Sequence, residues 1–310
     1  NVIIAHYAFI LGKLYYKNKS YVVAKAEGSL ADIKKIMKLP KQERRVFKEL
    51  VLKSLEDLKK NKVDIVYGFP NSLAIKSQVS AGYNLLDVPI YLSNLIIDWN
   101  IYLCRKKKFF YMYKATNLIS DIFKFLYVQY FTKLISNRKN VVEYNHGMNI
   151  KFREYTKSLK SLYINDQLEK IRNFEYIKWR FFENPYRTSY MGCFIKNSII
   201  LGHIIVSIDT NKIKNQSICH IMDMKAHKID YYKELITWAI HFSLKKNITS
   251  IDFWSDKSLM ETNQIGKFLL KCGFTKRFKK VKKKIILISF NKALDCKTIK
   301  FNTMRYLERL

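Results

Sequence analysis

The side chains with chemistry to offer stand where apolar runs give out. Glu27 closes the stretch Tyr21 to Ala26 and is followed by Gly28 and Ser29. Asp223 lies in Ile221-Met222-Asp223, and Asp252 sits in Ile251-Asp252-Phe253-Trp254-Ser255-Asp256. A carboxylate at a strand end can take a proton from a nucleophile or hold an amine, and an aromatic such as Trp254 can cover the rest of that substrate. The same positions suit helix capping or hydrated surface equally well. Cys219 and His220 form the one adjacent Cys/His pair, inside an apolar run where burial is the expectation. The five cysteines are odd in number and show no C-x-x-C pair, and the six histidines have no ligand spacing. Neither a disulfide framework nor a metal site is expected. Free thiols fit a reducing compartment, most simply the cytosol.

Those residues sit in a strongly basic chain. Lys and Arg number 57 against 25 Asp and Glu, a net charge of +32 over 310 residues. Such a charge favours an anionic partner or substrate. An AT-rich coding sequence, rich in Lys, Asn, Ile, Tyr and Phe, produces the same balance without a ligand. Nucleic acid is therefore carried as the less favoured partner, and the run Lys276 to Lys284 reads as phosphate contact or as a solvated edge. With 48% hydrophobic residues, 9 Gly and 4 Pro, the composition is globular with few linkers. Asn1 is not an initiator residue, so the first domain is expected to lack its N-terminal part.

Periodicity supplies the elements that must position the chemistry. Ile3 to Gly12 and Tyr21 to Ala26 read as strands separated by a turn at Lys17-Asn18-Lys19-Ser20. A helix over 41–60 carries an apolar stripe, a short strand runs from Val63 to Phe69, and a helix from Ser72 to Ser80 closes at Gly82. From Tyr176 the plan returns: strands near 190–195, 199–208 and 217–224, a helix over 231–246, a strand at 248–253, a helix over 264–271 and a last strand at 283–290. Two copies of one α/β plan are expected. The first is assigned to 1–92 and the second to 143–310. A helical connector spans 93–142, where the basic aromatic segment 105–135 packs between domains or touches an anionic membrane surface at the inner face. Charges interrupt that segment too often for a membrane span.

Asn71 is followed by Ala74, Gln78, Gly82 and Tyr83. With Tyr67-Gly68-Phe69-Pro70 before it, this resembles the strand-to-helix segment of the GNAT superfamily of N-acetyltransferases, in particular tandem GNAT proteins. Trp179-Arg180-Phe181 with Asn184-Pro185, and Leu269 to Phe274, resemble the second half of that group. The resemblance covers about three quarters of the chain. It implies two GNAT-like domains of α/β (α+β) class, each a mixed, mostly antiparallel sheet with flanking helices. It also implies transfer of an acetyl or other acyl group from acyl-CoA to an amine, such as an amino sugar or other saccharide amine, without a metal.

On that resemblance Gly28 and Ser29, at the parting of two central strands, offer main-chain N–H groups to the thioester carbonyl. Arg44 and Arg45 at the start of the long helix suit the pyrophosphate, and Asn71 belongs to the same cofactor set. Glu27 is the expected base. Tyr67, Phe69, Asp223, Asp252 and Trp254 are the expected acceptor contacts. The family's tyrosine acid falls at Gln78 in the first copy and Leu269 in the second. Gln78 is carried as that catalytic position, although an amide cannot donate the proton. Residues 39–46 have no glycine where the family's cofactor loop has several. Two alternatives remain: a peptidoglycan-bridge type transferase fed by aminoacyl-tRNA, and a non-catalytic protein holding an anionic polymer.

Overall fold

A computed structural model describes residues 3–41, 43–97, 140–144, 148–162, 167–185, 188–211, 216–255, 263–291, 294 and 300–301. In chain order the strands are β1 (Ala5–Tyr16), β2 (Lys19–Ala31), β3 (Ile65–Gly68), β4 (Asn84–Ile96), β5 (Val141–Glu143) and β6 (Gln167–Lys170). They continue with β7 (Ser189–Lys196), β8 (Ile199–Asn211), β9 (Gln216–Ala226), β10 (Ser250–Ser255), β11 (Thr275–Ser289) and β12 (Lys300–Phe301). The helices are α1 (Ile33–Lys38), α2 (Val46–Lys60), α3 (Ser72–Ser80), α4 (Asn149–Ser158), α5 (Phe174–Ile177), α6 (Ile229–Lys245) and α7 (Asn263–Lys271). The expected connector lies outside the described residues from 98 to 139, as does Asp256; its described ends are strand. No helix among the described residues is long and apolar enough to cross a membrane.

The chain divides into two compact units. Unit 1 comprises Asn1–Pro89, Tyr163–Ile171 and Lys282–Asn302; unit 2 comprises Ile90–Leu162, Arg172–Val281 and Thr303–Leu310. Each carries a mixed sheet. In unit 1 the strand order is β12-β6-β1-β2-β3-β11, and in unit 2 it is β4-β10-β9-β8-β7-β5.

Unit 1 opens on a tight hairpin. Lys17 and Asn18 take φ of 45° and 62°, the left-handed pair that a two-residue hairpin demands. Val23, Ile65 and Tyr67 fill one face of the sheet with Leu14, Tyr16 and Tyr21. Ala24 and Val66 fill the other, where α2 lays down Val51 and Leu55. At the end of α2, Lys62 turns left-handed and Val63 N–H returns to Leu58 O at 3.1 Å. Asp64 then fixes the register. Its carboxylate accepts from Val22 N (2.8 Å) and Asn291 Nδ2 (3.1 Å), so β3 is pinned between β2 and β11 before it begins.

Unit 2 repeats each device. Asn197 and Ser198 turn the β7–β8 hairpin at φ of 50° and 62°. Asn247 ends α6 left-handed, and Ile248 N–H returns to Ser243 O at 2.9 Å. Thr249 stands where Asp64 does, its N–H and Oγ1 both donating to Ser217 O. Phe194, Ile204, Val206, Leu235, Ile236 and Ile251 form the core under α6. Gly192 is required there: a Cβ would lie 2.7 Å from the Trp238 ring.

Candidate functional site

In unit 1, β2 and β3 are parallel for four pairs, Val23↔Ile65 to Ala26↔Gly68. Then they part. Phe69 and Pro70 carry the chain out of the sheet into α3, while β2 runs on to Ala31 against β1 alone. The β1 register slips here, from Ala8↔Glu27 to His6↔Leu30, so a bulge takes up Gly28 and Ser29. An edge that has lost one neighbour presents main-chain N–H groups.

The residues flanking this edge carry charge and rings. Lys25 Nζ lies 2.6 Å from Glu27 Oε2, with Lys25 8% and Glu27 34% exposed, and 5.9 Å over the Phe69 ring. Tyr67, opposite Lys25 in register, is buried with its ring edge-on to Phe69 at 6.5 Å. The strand alternation thus brings Lys25, Glu27, Tyr67 and Phe69 to one place. Arg44 and Arg45 stand at the exposed start of α2 behind a 3-10 turn, and Arg44 Nε donates to Leu39 O at 3.0 Å. Arg45 is the N-cap of α2 and makes no side-chain capping bond to it. The short helix α1, absent from the sequence reading, fills the chain between β2 and that start.

Asn71 caps α3, accepting from Leu73 N (3.1 Å) and Ala74 N (2.8 Å), and Gly82 ends it at φ 102°. Asn71→Ala is expected to cost unit 1 about 1 kcal/mol in a urea titration. Gln78, on the buried side of α3, donates from Nε2 to Tyr7 Oη at 3.3 Å, and Tyr7 and Tyr83 share a 3.0 Å hydrogen bond. Burial pushes both hydroxyls up, Tyr83 the further. Gln78 and Leu269 are structural equivalents: each carbonyl receives the N–H that closes its helix, from Tyr83 and from Phe274.

Unit 2 has the same parting with different contents. Its parallel pairs run Ser250↔Ile218 to Phe253↔Ile221, and a bulge at Met222 follows. The bulge reverses the alternation, which puts Asp223 inside β9 and 1% exposed. There Arg172 Nε donates to both carboxylate oxygens at 3.0 and 3.1 Å, and Met224 N donates to Oδ1 at 3.0 Å. His203 Nε2 lies 3.4 Å from Oδ2, and Tyr155 Oη bonds His203 Nδ1 and Lys225 O. Burial alone would raise the Asp223 carboxyl; Arg172 and His203 outweigh it and hold the group well below the usual range. Asp223 therefore holds the core together instead of facing a substrate at a strand end. No local pattern signals this network, whose members lie far apart along the chain.

Asp252 is partly exposed, accepting from Asn94 Nδ2 at 2.5 Å, with His220 Nδ1 3.5 Å away. His220 Nε2 meets Asp209 at 2.9 Å. Cys219 points to the opposite face, into the α6 core, so the adjacent Cys/His pair is divided by the pleat. Trp254 is half-buried beside Asp252. No cluster of His, Cys, Asp or Glu among the described residues is arranged to hold a metal ion.

No protein-family model matches the sequence, and a comparison with curated proteins finds no match. Solved structures do match. A GCN5-related N-acetyltransferase from Anabaena variabilis superposes with a TM-score of 0.53 at 11% identity, over 91% of this chain and 58% of that one. A conserved Enterococcus faecalis protein described as a probable N-acyltransferase gives 0.54 at 9% identity, over 93% and 59%. Saccharomyces cerevisiae N-myristoyltransferase, solved with myristoyl-CoA, gives 0.52 at 11% identity, over 99% and 68%. The chain spans less than two thirds of the first two. With parallel strands that part beside a bulge in each unit, the protein has a two-domain, GNAT-like fold similar to that of these structures.

Proposed function

We propose that the protein is an N-acyltransferase that takes its acyl group from an acyl-CoA held at the parted strands of unit 1 and passes it to an amine. The observation that carries this reading is the end of β2–β3 pairing at Ala26 and Gly68, with β2 continuing through the Gly28-Ser29 bulge. Main-chain amides on the edge that β3 leaves suit a thioester carbonyl whose oxygen gains charge under attack. The exposed, uncapped start of α2, with Arg44 and Arg45, suits the pyrophosphate without needing a glycine loop. In unit 2 the corresponding edge is less available, because Met224 N–H is taken by Asp223. Fold likeness to an N-acetyltransferase and an N-myristoyltransferase supports the same class of chemistry.

The test is thermal unfolding with acetyl-CoA and with myristoyl-CoA. Saturable stabilisation by at least one is expected, about 2.7 kcal/mol at a hundred times Kd. Arg45→Ala should weaken that binding about tenfold, the loss of one charge-assisted contact. Failure of both thioesters to stabilise the protein would overturn the reading.

A further inference from the structure

The stretch Trp179-Arg180-Phe181 with Asn184-Pro185 takes an unusual backbone path in unit 2. Beyond Ile177 the helix α5 widens into a π-helical turn over Lys178–Phe182, closed by Glu183 N–H on Lys178 O at 3.0 Å. Such turns are rare and recur at functional sites. Here the turn delivers Phe182 to a cavity of about 560 Å³ between α4, α5 and the strands β5 and β7, within the usual size of small-molecule sites.

The walls are largely hydrocarbon: Tyr144, Phe152, Phe174, Phe182, Ile177 and Met191. Their rings form one continuous set. Phe182 stacks on Tyr144 with centroids 5.7 Å apart, Phe152 meets Tyr144 edge-on at 5.4 Å, and Phe174 meets Phe152 edge-on at 6.3 Å. The Tyr144 hydroxyl donates to Asn149 Oδ1, which holds that ring in place. The charged residues of the lining reach solvent: Lys178 Nζ and Glu183 Oε1 pair at 2.8 Å, both half exposed, and Glu143 is exposed. Phe174 already carries a cation, the Arg153 guanidinium 4.8 Å from its ring centre, which Glu175 pairs at 2.9 Å. What these walls offer a ligand is shape and ring contact.

We infer that this cavity binds a ligand through an aromatic ring, which extends the cluster of Tyr144, Phe152, Phe174 and Phe182. Rings pack against one another at centroid distances of about 4.5–7 Å, and a flat rigid body loses less freedom on entry than a flexible chain. The inference stands apart from the transfer reading, because it concerns unit 2 alone and needs no acyl-CoA.

The probes are 2-naphthol, 1-octanol as an uncharged chain of similar hydrophobicity, and tetramethylammonium as a cation without a ring, read by calorimetry on the full chain. Naphthol should bind saturably, octanol at least about fivefold more weakly, and tetramethylammonium not at all up to about 10 mM. Phe182→Leu keeps apolar bulk at a position 38% exposed and removes the stacked ring. Naphthol should then weaken about fivefold while octanol stays within about twofold, with circular dichroism showing a folded chain. Tyr144→Leu, on the other side of the stack, should give the same selective loss. Octanol binding as tightly as naphthol would make this a chain pocket, and saturable tetramethylammonium binding would make it a cation cage. Either result, no saturable naphthol binding, or naphthol affinity untouched by both variants would overturn the assignment.

Discussion

Arg172→Met is expected to destabilise unit 2 by about 3–5 kcal/mol, because it strands a carboxylate in a core that excludes water. Arg172 is 0% and Asp223 1% exposed, so neither charge has solvent to fall back on. The pH dependence has a defined sign. Asp223 is depressed in the folded state, so its contribution is complete above the unfolded value of about 3.9 and is lost as pH falls toward the lower folded value. Without Arg172 the carboxyl is held down less, by His203 and the Met224 N–H alone, and acid unfolding of unit 2 should begin at higher pH. The double variant Arg172→Met/Asp223→Leu should recover much of the loss, since it removes both buried charges together. Urea titrations at pH 7 and pH 4 check all three statements. A loss below about 1 kcal/mol for Arg172→Met would place the pair with exposed ion pairs.

Bulges explain which parts of this site the sequence could show. The turn at Lys17-Asn18, the α3 helix from Ser72 to Ser80 closed by Gly82, and the strand–helix–strand order all rest on local signals, and the structure places them as read. Period-2 alternation works up to Ile221 and then fails. The extra residue Met222 moves every later side chain of β9 to the other face, so Asp223 cannot be placed by counting from Cys219. Gln78 shows the same limit on a helix. Its place in the Asn71–Gly82 spacing was readable, but its burial depends on Tyr7, 71 residues earlier. The short strands β6 and β12 lacked periodic runs, and they exist as strands through β1 and each other. Ser189, Ser207, His220, Asp252 and Asn94 share a row only because five strands align, a fact of tertiary register.

Glu27→Gln is expected to lower turnover about a hundredfold or more, the usual reach of one positioned base, and to leave acyl-CoA affinity within about twofold. An amine is protonated near neutral pH, and its nitrogen cannot attack a thioester until that proton has gone. Glu27 is the carboxylate at the parting, one residue past the last β2–β3 pair, and the contact between Lys25 Nζ and its Oε2 fixes its direction. The amide of Gln keeps the size of the side chain but cannot accept the proton. Lys25→Met separates placement from chemistry: it removes the ammonium that orients the carboxylate, so turnover should fall less than in Glu27→Gln, with the pH profile of kcat keeping its basic form. Release of CoA thiol in the presence of a primary amine measures both variants. An unchanged rate in Glu27→Gln removes this residue from the chemistry and leaves proton removal to another group or to water. A rise in KM for acyl-CoA with kcat intact would instead make Glu27 part of the wall that shapes the thioester site.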